Sequence, residues 1–180
     1  MMDGRTVFSG VMSGRKLLTA LIAATPSADF PTIIFLDFGG VEVATSSFLR
    51  EAVIGFRDYA LISLTDIYPV AANLTPPVLE ELDFFLRARN DAVWVCDLDP
   101  NDSVNGARLI GELDPVQRVT FEVIQHLRAV TAPDLAARFP NENIGPTAWN
   151  NRLSALGAKR LVVERKIGKT KSFSPLLEIA

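Results

Sequence analysis

The chain has 180 residues, of which 48% are apolar and 22% are charged, and its formal net charge is −3. This composition is typical of a folded protein and excludes a disordered one, while the length allows one large or two small domains. The single cysteine excludes an internal disulfide, and no apolar run approaches the roughly 20 residues that span a bilayer. Because the first residues also lack the layout of a signal peptide, we expect a cytoplasmic protein with no membrane partner.

The charges are distributed unevenly along the chain. Residues 1–112 contain 8 Lys and Arg against 15 Asp and Glu, which gives −7, whereas residues 113–180 contain 10 against 6, which gives +4. Such asymmetry indicates an acidic module joined to one that could approach a polyanion. We therefore predict two domains, 1–112 and 113–180.

The first half of the sequence alternates strand-like and helix-like segments. The run TIIFLDF, residues 32–38, is apolar up to Asp37 and predicts a central strand covered on both faces. Further strands are predicted in RTVFSG, YPVAANL and AVWVCDL, and helices in GRKLLTALIAA, in the segment after Ser46 and Ser47, and in TPPVLEELDFFLRARN. This alternation predicts a layered α/β domain. The turn-rich run DPNDSVNG, residues 99–106, is interpreted as the exit from it.

The second half of the sequence changes to helices followed by a hairpin. Helices are predicted in three segments, DPVQRVTFEVIQHL, TAPDLAARF and GPTAWNNRLSALG. The first carries an apolar stripe at helical spacing, made of Val116, Val119, Val123 and Leu127. Thr131 and Asp134 have the spacing of a capping box, which marks the start of the second helix. The remaining residues predict two strands joined by a basic turn that contains Gly168.

The segment GVMSGRK, residues 10–16, lies between a predicted strand and a predicted helix, as a phosphate-binding loop does. Only three residues separate Gly10 from Gly14, and Leu17 follows Lys16 where such a loop needs Ser or Thr. The spacing therefore favours a turn at the start of a helix over nucleotide binding.

An acidic run after the last strand of the first domain is a candidate for calcium. It offers Asp97, Asp99, Asn101 and Asp102 as oxygen ligands. However, Asp102 occupies the position where a calcium loop needs Gly, and Arg108 the position of the bidentate Glu. We therefore predict no metal site.

Catalytic residues are not evident in the sequence. The single histidine, His126, has no neighbouring Cys or second His, and it lies in a different half of the chain from the paired serines. Cys96 lies in the apolar run AVWVC and is predicted to be buried. We therefore predict a protein that is not an enzyme, with no catalytic residues and no cofactor. An enzyme that uses Asp37 or Asp97 at strand ends is the alternative hypothesis.

The residues from about 114 to the end resemble a winged helix-turn-helix domain. TAPDLAARFP is similar to the first helix of that motif, GPTAWNNRLSALGAKRLV to its recognition helix and first wing strand, and ERKIGKTKSF to its wing. The core positions that carry the resemblance are Leu135, Ala136, Trp149, Leu153 and Leu156. The resemblance implies a small α+β domain after the α/β domain.

The same resemblance implies a DNA-binding surface. It would place four polar residues on the open face of the third helix, Thr147, Asn150, Asn151 and Ser154, with Arg152 as the single basic residue of that helix, and three lysines on the wing, Lys166, Lys169 and Lys171. Asparagine pairs bidentately with adenine in the major groove, and lysines neutralise phosphates. We expect a partner in double-stranded DNA and a homodimer that reads two half-sites. Winged helices also act as protein-binding modules, which is the alternative.

The first hundred residues resemble the STAS-like family of uncharacterised bacterial domains, which is related to the STAS fold of anti-anti-sigma factors. The resemblance is carried by FLDFGGVEVATSSFLREA. In that broader group a strand that ends in Asp leads to a Ser at a helix start, and some members are phosphorylated there by a partner kinase. Ser46 matches that serine, whereas Thr45 replaces an aspartate and Phe48 a glycine of the anti-sigma antagonists.

Ser46 and Ser47 therefore have two interpretations. A hydroxyl at a helix start caps free backbone N–H groups, and a phosphate there is favoured by the same groups and by the helix dipole. Two functions follow as hypotheses. The first is a DNA-binding regulator whose STAS-like domain senses a signal or docks a partner. The second is a signalling adaptor whose STAS-like domain binds a kinase-like ATPase or another protein.

Overall fold

A computed structural model describes residues 6–142 and 144–179. The fold is mixed α/β, and the described residues form two compact units, one up to Glu112 and the other from Leu113 to Ile179. Within these ranges, none of the helices combines the length and the apolar character that crossing a membrane requires.

The first unit is built around a four-stranded sheet. The strands of this unit are β1 (Val7–Phe8), β2 (Thr32–Asp37), β3 (Val43–Ala44), β4 (Ile67–Ala72), β5 (Ala92–Leu98) and β6 (Val104–Gly111). Its helices are α1 (Val11–Ala24), α2 (Ser46–Leu49), α3 (Gly55–Ser63) and α4 (Pro76–Arg87). A π-helical segment, Arg50–Ile54, joins α2 to α3. The predicted alternation of strands and helices is confirmed.

The strand order of the sheet is β2-β4-β5-β6. Strands β2, β4 and β5 are parallel, and β6 pairs antiparallel with β5. The prediction that TIIFLDF forms the central strand was wrong, because β4 lies between β2 and β5. All six residues of β4 are buried, whereas the first four of β2 are only half-buried. An apolar run of this length identifies a strand but not its place in the sheet.

The run DPNDSVNG does not leave the first unit. Its residues 99–103 form the loop of the β5–β6 hairpin and its residues 104–106 begin β6, and the chain leaves the unit after Glu112. Asp99 Oδ1 accepts the N–H groups of Asn101 (2.8 Å) and Ser103 (2.9 Å), and Asp102 adopts a positive φ of 59°. Turn chemistry therefore accounts for the acidic residues of this run, since Asp and Asn tolerate the left-handed region and bond their own backbone.

The core of the first unit lies between one face of the sheet and the helices. Phe48, Leu49, Phe56 and Leu82 are fully buried in it. Helix α1 approaches α2 closely at Gly14, where an added Cβ would lie 2.7 Å from the Phe48 carbonyl oxygen. Packing therefore requires this glycine, and the segment 10–16 contains the start of a helix, as its spacing predicts.

The described residues of the second unit form three α-helices, a short 3-10 helix (Pro140–Glu142) and a small antiparallel sheet. Its helices are α5 (Pro115–Leu127), α6 (Ala132–Arg138) and α7 (Pro146–Ala158), and its strands are β7 (Val130–Thr131), β8 (Val162–Ile167) and β9 (Thr170–Pro175). The sheet order is β7-β9-β8, and Gly168 provides a positive φ of 60° in the β8–β9 turn. The predicted cap of α6 is confirmed, because Thr131 Oγ1 accepts the N–H of Asp134 at 3.3 Å.

The apolar stripe of α5 is not its buried side. Thr120, Phe121 and Ile124 are buried, whereas Val116 and Val119 are 45% and 49% exposed. The two sets lie about a quarter-turn apart on the helix. The predicted stripe therefore identified the helix correctly but not the face that it packs.

Candidate functional site

The outward face of α7 is the first candidate surface. Trp149, Leu153 and Leu156 bury one side of the helix. Helical periodicity consequently turns Thr147 and Asn151 toward solvent, where both are exposed, while Asn150 between the two sides is half-buried. Two of the four polar residues predicted on this face, Thr147 and Asn151, are therefore open to a ligand.

Ser154 does not lie on the open face, so that prediction was wrong. Its hydroxyl oxygen is buried and has no hydrogen-bond partner among the described residues. Gly157 lies one turn further along α7, and the side chains of Glu164 and Phe173 approach the helix there. Ser154 lies three residues before Gly157, so the hairpin approaches α7 within one turn of this serine, although Asn151 on the same turn is exposed.

Arg152 packs against the core aromatic residue of the same helix. Its guanidinium carbon lies 5.2 Å from the centroid of the Trp149 ring, and the residue is half-buried. A cation above an aromatic face is held by the ring quadrupole. The positive charge of Arg152 is thus partly committed to packing.

The β8–β9 hairpin is the second candidate surface. Lys166 and Lys169 are exposed, and neither forms an ion pair or a hydrogen bond with the described residues. Lys171 lies directly opposite Lys166 across the two strands and pairs with Glu164 at 2.6 Å. Like charges opposite each other destabilise a sheet, and the Glu164 carboxylate relieves that repulsion. Of the three predicted lysines, Lys166 and Lys169 are the ones available to an anion.

Two further cations were missed by sequence reasoning. Arg165 is exposed on β8 and Arg138 is exposed in the last turn of α6. The charge of each was visible in the sequence, but its exposure depends on the strand register and on the helix face. Together with Lys166 and Lys169 they give the second unit a set of solvated cations suited to phosphate contacts.

The start of α2 is capped by Thr45, not by Ser46 or Ser47. Thr45 Oγ1 accepts the N–H groups of Phe48 (3.4 Å) and Gly10 (3.2 Å), and it lies 3.1 Å from Ser47 Oγ. Ser46 is the first residue of the helix, and its N–H donates to Glu81 Oε1 at 2.8 Å. The capping interpretation of the two serines was therefore wrong by one or two positions.

Glu81 already places a carboxylate at this helix start. The half-buried Ser46 and Ser47 lie beside it, and the helix dipole and the Ser46 N–H stabilise its charge. A phosphate on Ser46 would add about two negative charges next to that carboxylate, which opposes the gain from the dipole. This geometry favours a structural role for the segment 45–47.

Polar side chains also meet at the carboxyl ends of the parallel strands. Asn73, with a φ of 56°, donates through Nδ2 to Asp37 Oδ1 at 2.8 Å and accepts the N–H of Leu98 through Oδ1 at 2.8 Å. It thereby links β2, β4 and β5. Asp97 is exposed near this edge. In the described parts of the chain, no three side chains of the His, Cys, Asp and Glu types converge as metal ligands.

Cys96 is buried in β5, as predicted, with 2% exposure. Burial raises the pKa of its thiol to about 11, and the neighbouring Asp97 carboxylate adds to the shift. The thiol is therefore protonated at neutral pH and is not a nucleophile.

Comparisons with protein-family models, with curated proteins and with solved structures found no match to this chain.

Proposed function

We propose that this chain is a DNA-binding regulatory protein without enzymatic activity. In this proposal the first unit is a STAS-like domain that senses a signal or docks a partner, and the second unit is a winged helix-turn-helix domain that contacts double-stranded DNA. No cofactor is required, and two copies would read two half-sites as a homodimer.

The observation that carries the proposal is the order of elements in the second unit. Helix α5 leads through the short strand β7 to α6 and α7, and the β8–β9 hairpin follows. Strand β9 lies between β7 and β8, so the hairpin is tied to the strand that precedes α6. This arrangement is the one expected of a winged helix, with α7 as the recognition helix and the hairpin as the wing.

The exposed side chains support the same proposal. Asn151 has the donor and acceptor groups that match adenine in the major groove, and Thr147 near the helix start can donate to a phosphate. Lys166 and Lys169 at the hairpin tip add sequence-independent attraction to phosphates.

The test is the affinity for duplexes selected from genomic DNA fragments, measured by fluorescence anisotropy. We expect Asn151→Ala to weaken binding to a selected duplex about tenfold and to leave binding to unrelated duplexes unchanged, because base contacts carry specificity. Asn101→Ala, in an exposed loop of the first unit, is the matched control and should have no effect. If no duplex is selected above background at low salt, the proposal fails.

A second candidate function is a signalling adaptor, in which the first unit binds a kinase-like ATPase or another protein. A specific observation favours it: the exposed residues of α7 carry no charge, being Pro146, Thr147, Ala148, Asn151 and Ala158. Val116 and Val119 are also exposed on α5. Uncharged, partly apolar helix faces of this kind suit protein contact better than a polyanion.

The two candidates differ in their response to salt. DNA binding must weaken steeply between about 50 and 200 mM salt, since counterions are released on binding. An adaptor would bind a purified kinase-like ATPase in a pull-down that tolerates such salt, and it would show no DNA binding. Both measurements use the full chain.

A further inference from the structure

The first unit contains a cavity of about 390 Å³ beside the outer edge of β2. Leu17 and Leu21 of α1 form one wall, Ala52 and Val53 form another, and the segment 35–39 at the end of β2 forms the third. The cavity therefore lies at the carboxyl end of a parallel strand, where α/β proteins commonly bind ligands. Its volume is within the range of small-molecule sites.

The strand that lines this cavity is unpaired on that side. Strand β2 pairs only with β4 among the described strands, and the N–H groups of Thr32 and Phe38 donate to the β4 side, to Asp66 and Ala72. Peptide groups alternate in direction along a strand, so those of Phe35 and Asp37 face away from β4. The cavity wall consequently offers backbone donors and acceptors in addition to apolar side chains.

Among the described residues that line the cavity, Asp37 is the one with a charged side chain. Its Oδ1 accepts the N–H of Gly39 at 2.8 Å and Asn73 Nδ2 at 2.8 Å, which fixes the orientation of the carboxylate. Its Oδ2 has no hydrogen-bond donor among the described residues. Asp37 is exposed, so its negative charge is presented at the mouth of a cavity whose other described lining side chains are apolar.

The helix wall of the cavity is irregular at the same place. Ala52 and Val53 belong to the π-helical segment Arg50–Ile54, which interrupts the regular turns between α2 and α3. Short π-helical segments are rare, and they occur frequently at functional sites. This observation is independent of the charge and of the strand edge, and it indicates the same location.

We infer that this cavity binds a small organic cation, a primary ammonium with a compact apolar body. The ammonium donates to Asp37 Oδ2 and to the outward peptide carbonyl groups of β2, while the apolar body contacts Leu17, Leu21 and Val53. A charge-assisted hydrogen bond to a fixed carboxylate gives the preference for a cation. The inference that this ligand is the signal of a DNA-binding regulator rests on the proposed function. The presence of the binding site itself does not depend on DNA binding.

The test uses three probes of one shape, cyclohexylmethylamine, cyclohexylmethanol and cyclohexanecarboxylate, titrated into the isotope-labelled full chain without DNA. We expect the amine to shift the amide resonances of residues 35–39 and 52–53 in proton–nitrogen correlation spectra. The alcohol should bind about tenfold more weakly, because it lacks the charge. The carboxylate should not bind, since it meets the Asp37 charge.

Asp37→Asn is the decisive variant, because an asparagine oxygen can still accept the hydrogen bonds from Gly39 and Asn73. It should reduce amine affinity about tenfold, to that of the alcohol. Asp29→Asn, an exposed carboxylate in the loop before β2, is the matched control and should leave amine affinity unchanged. Leu21→Trp, on the half-buried side of α1, should fill the cavity and weaken both the amine and the alcohol.

Three results would overturn the inference. One is equal affinity for the amine and the alcohol, and another is amine affinity that Asp37→Asn does not change. The third is concentration-dependent broadening of β2 resonances without any probe, which would identify the edge as a strand-pairing surface between copies. Since no measurement involves DNA, a negative result here is separate from a failure of DNA binding.

Discussion

The two units use their charged side chains in different ways. In the first unit, carboxylates hold backbone and cations in place: Asp83 Oδ1 accepts the N–H of Gly111 at 2.7 Å, and Asp91 binds Arg57 through both oxygens at 3.0 and 2.8 Å. In the second unit, Lys166 and Lys169 are exposed and have no partner among the described residues. The carboxylates of Asp83 and Asp91 are therefore structural, whereas these two lysines are available to a ligand.

The difference shows that the net charge of a segment is not the charge available to a partner. The value of −7 for residues 1–112 suggests a strongly acidic surface. However, Glu81 and Asp99 accept backbone N–H groups, and Glu51 pairs with both Arg15 and Arg50. Removal of a largely buried, hydrogen-bonded carboxylate in the first unit should therefore affect stability, and removal of an unpaired cation from the hairpin should affect binding.

The largest effect is expected from Asp91→Ala. The Arg57 side chain is 10% exposed and that of Asp91 is 15% exposed. The variant therefore removes the carboxylate that accepts both bonds from Arg57 Nη1, and it leaves the buried guanidinium with only the exposed Asp58 as a partner among the described residues. We expect a loss of about 3 to 5 kcal/mol in the free energy of unfolding of the first unit. Urea denaturation, followed by Trp94 fluorescence in a Trp149→Phe background, measures it.

The matched control is Asp58→Ala, because Asp58 binds the same guanidinium at 3.0 Å with a side chain that is 57% exposed. We expect this variant to change stability by less than about 1 kcal/mol. Equal effects of the two variants would show that burial does not separate structural from solvated carboxylates in this unit.

The second largest effect is expected on the reactivity of Cys96, which is buried in β5 of the four-stranded sheet. Since burial raises the pKa of its thiol from 9.0 to about 11, the thiolate fraction below pH 9 is about 100-fold smaller than in the unfolded chain. Iodoacetamide should therefore alkylate the native protein at least about 100-fold more slowly than the protein in urea, as measured by mass spectrometry.

The same rise in the pKa of Cys96 determines how stability depends on pH. The unfolded thiol loses its proton first, so this contribution to stability is complete below pH 9 and is lost as the pH rises toward 11. Cys96→Ala should remove that part of the high-pH destabilisation. Rapid native alkylation at pH 8 would show instead that β5 opens readily.

Local elements could be predicted from the sequence because their signals are local. Capping by Thr131, the turn at Gly168 and the apolar runs of β4 and β5 each depend on neighbouring residues. Strand β6 was missed because Asn105, Gly106 and Gly111 interrupt its alternation. Both glycines adopt a positive φ, and at Gly111 an added Cβ would lie 2.1 Å from the Asp91 carbonyl oxygen.

The candidate site was only partly predictable, because its decisive contacts link residues far apart in the chain. The bond from the Ser46 N–H to Glu81 spans 35 residues, and that from Asn73 to Asp37 spans 36. Neither leaves a pattern in a single sequence. Ser154 shows the same limit, since its burial depends on the approach of the hairpin and not on the period of α7.

The third largest effect is expected on DNA binding, when the unpaired lysines of the second unit are removed. The double variant Lys166→Ala with Lys169→Ala removes two exposed cations and breaks no ion pair within residues 6–142 and 144–179. If these lysines meet phosphates, the slope of log K against log salt falls by about 1.8 in magnitude and the affinity falls about tenfold, equally for all duplexes. Fluorescence anisotropy across a salt series measures both.

Lys16→Ala provides the control for that measurement, because Lys16 is exposed on α1 in the first unit. It should leave the slope unchanged. A slope that responds equally to Lys16→Ala would mean that the cations act through the total charge, and the proposed wing contact would be wrong. Stability should be unaffected in all three substitutions, which unfolding by urea can verify.

The smallest effect is expected at the start of α7. Gly145 caps this helix without a side-chain hydrogen bond, at φ −72° and ψ 166°, and an added Cβ would meet nothing within 4 Å. Gly145→Ser can therefore supply a hydroxyl to the free N–H groups and should stabilise the second unit by about 0.3 kcal/mol. Gly145→Ala adds the same Cβ without the hydroxyl and should destabilise it. Urea denaturation followed by Trp149 fluorescence, in a Trp94→Phe background, measures the difference.

The salt dependence of DNA binding is the control for these two substitutions. Because neither of them changes charge, the slope of log K against log salt should stay constant. A shift in that slope would mean that α7 contacts DNA through its backbone N–H groups.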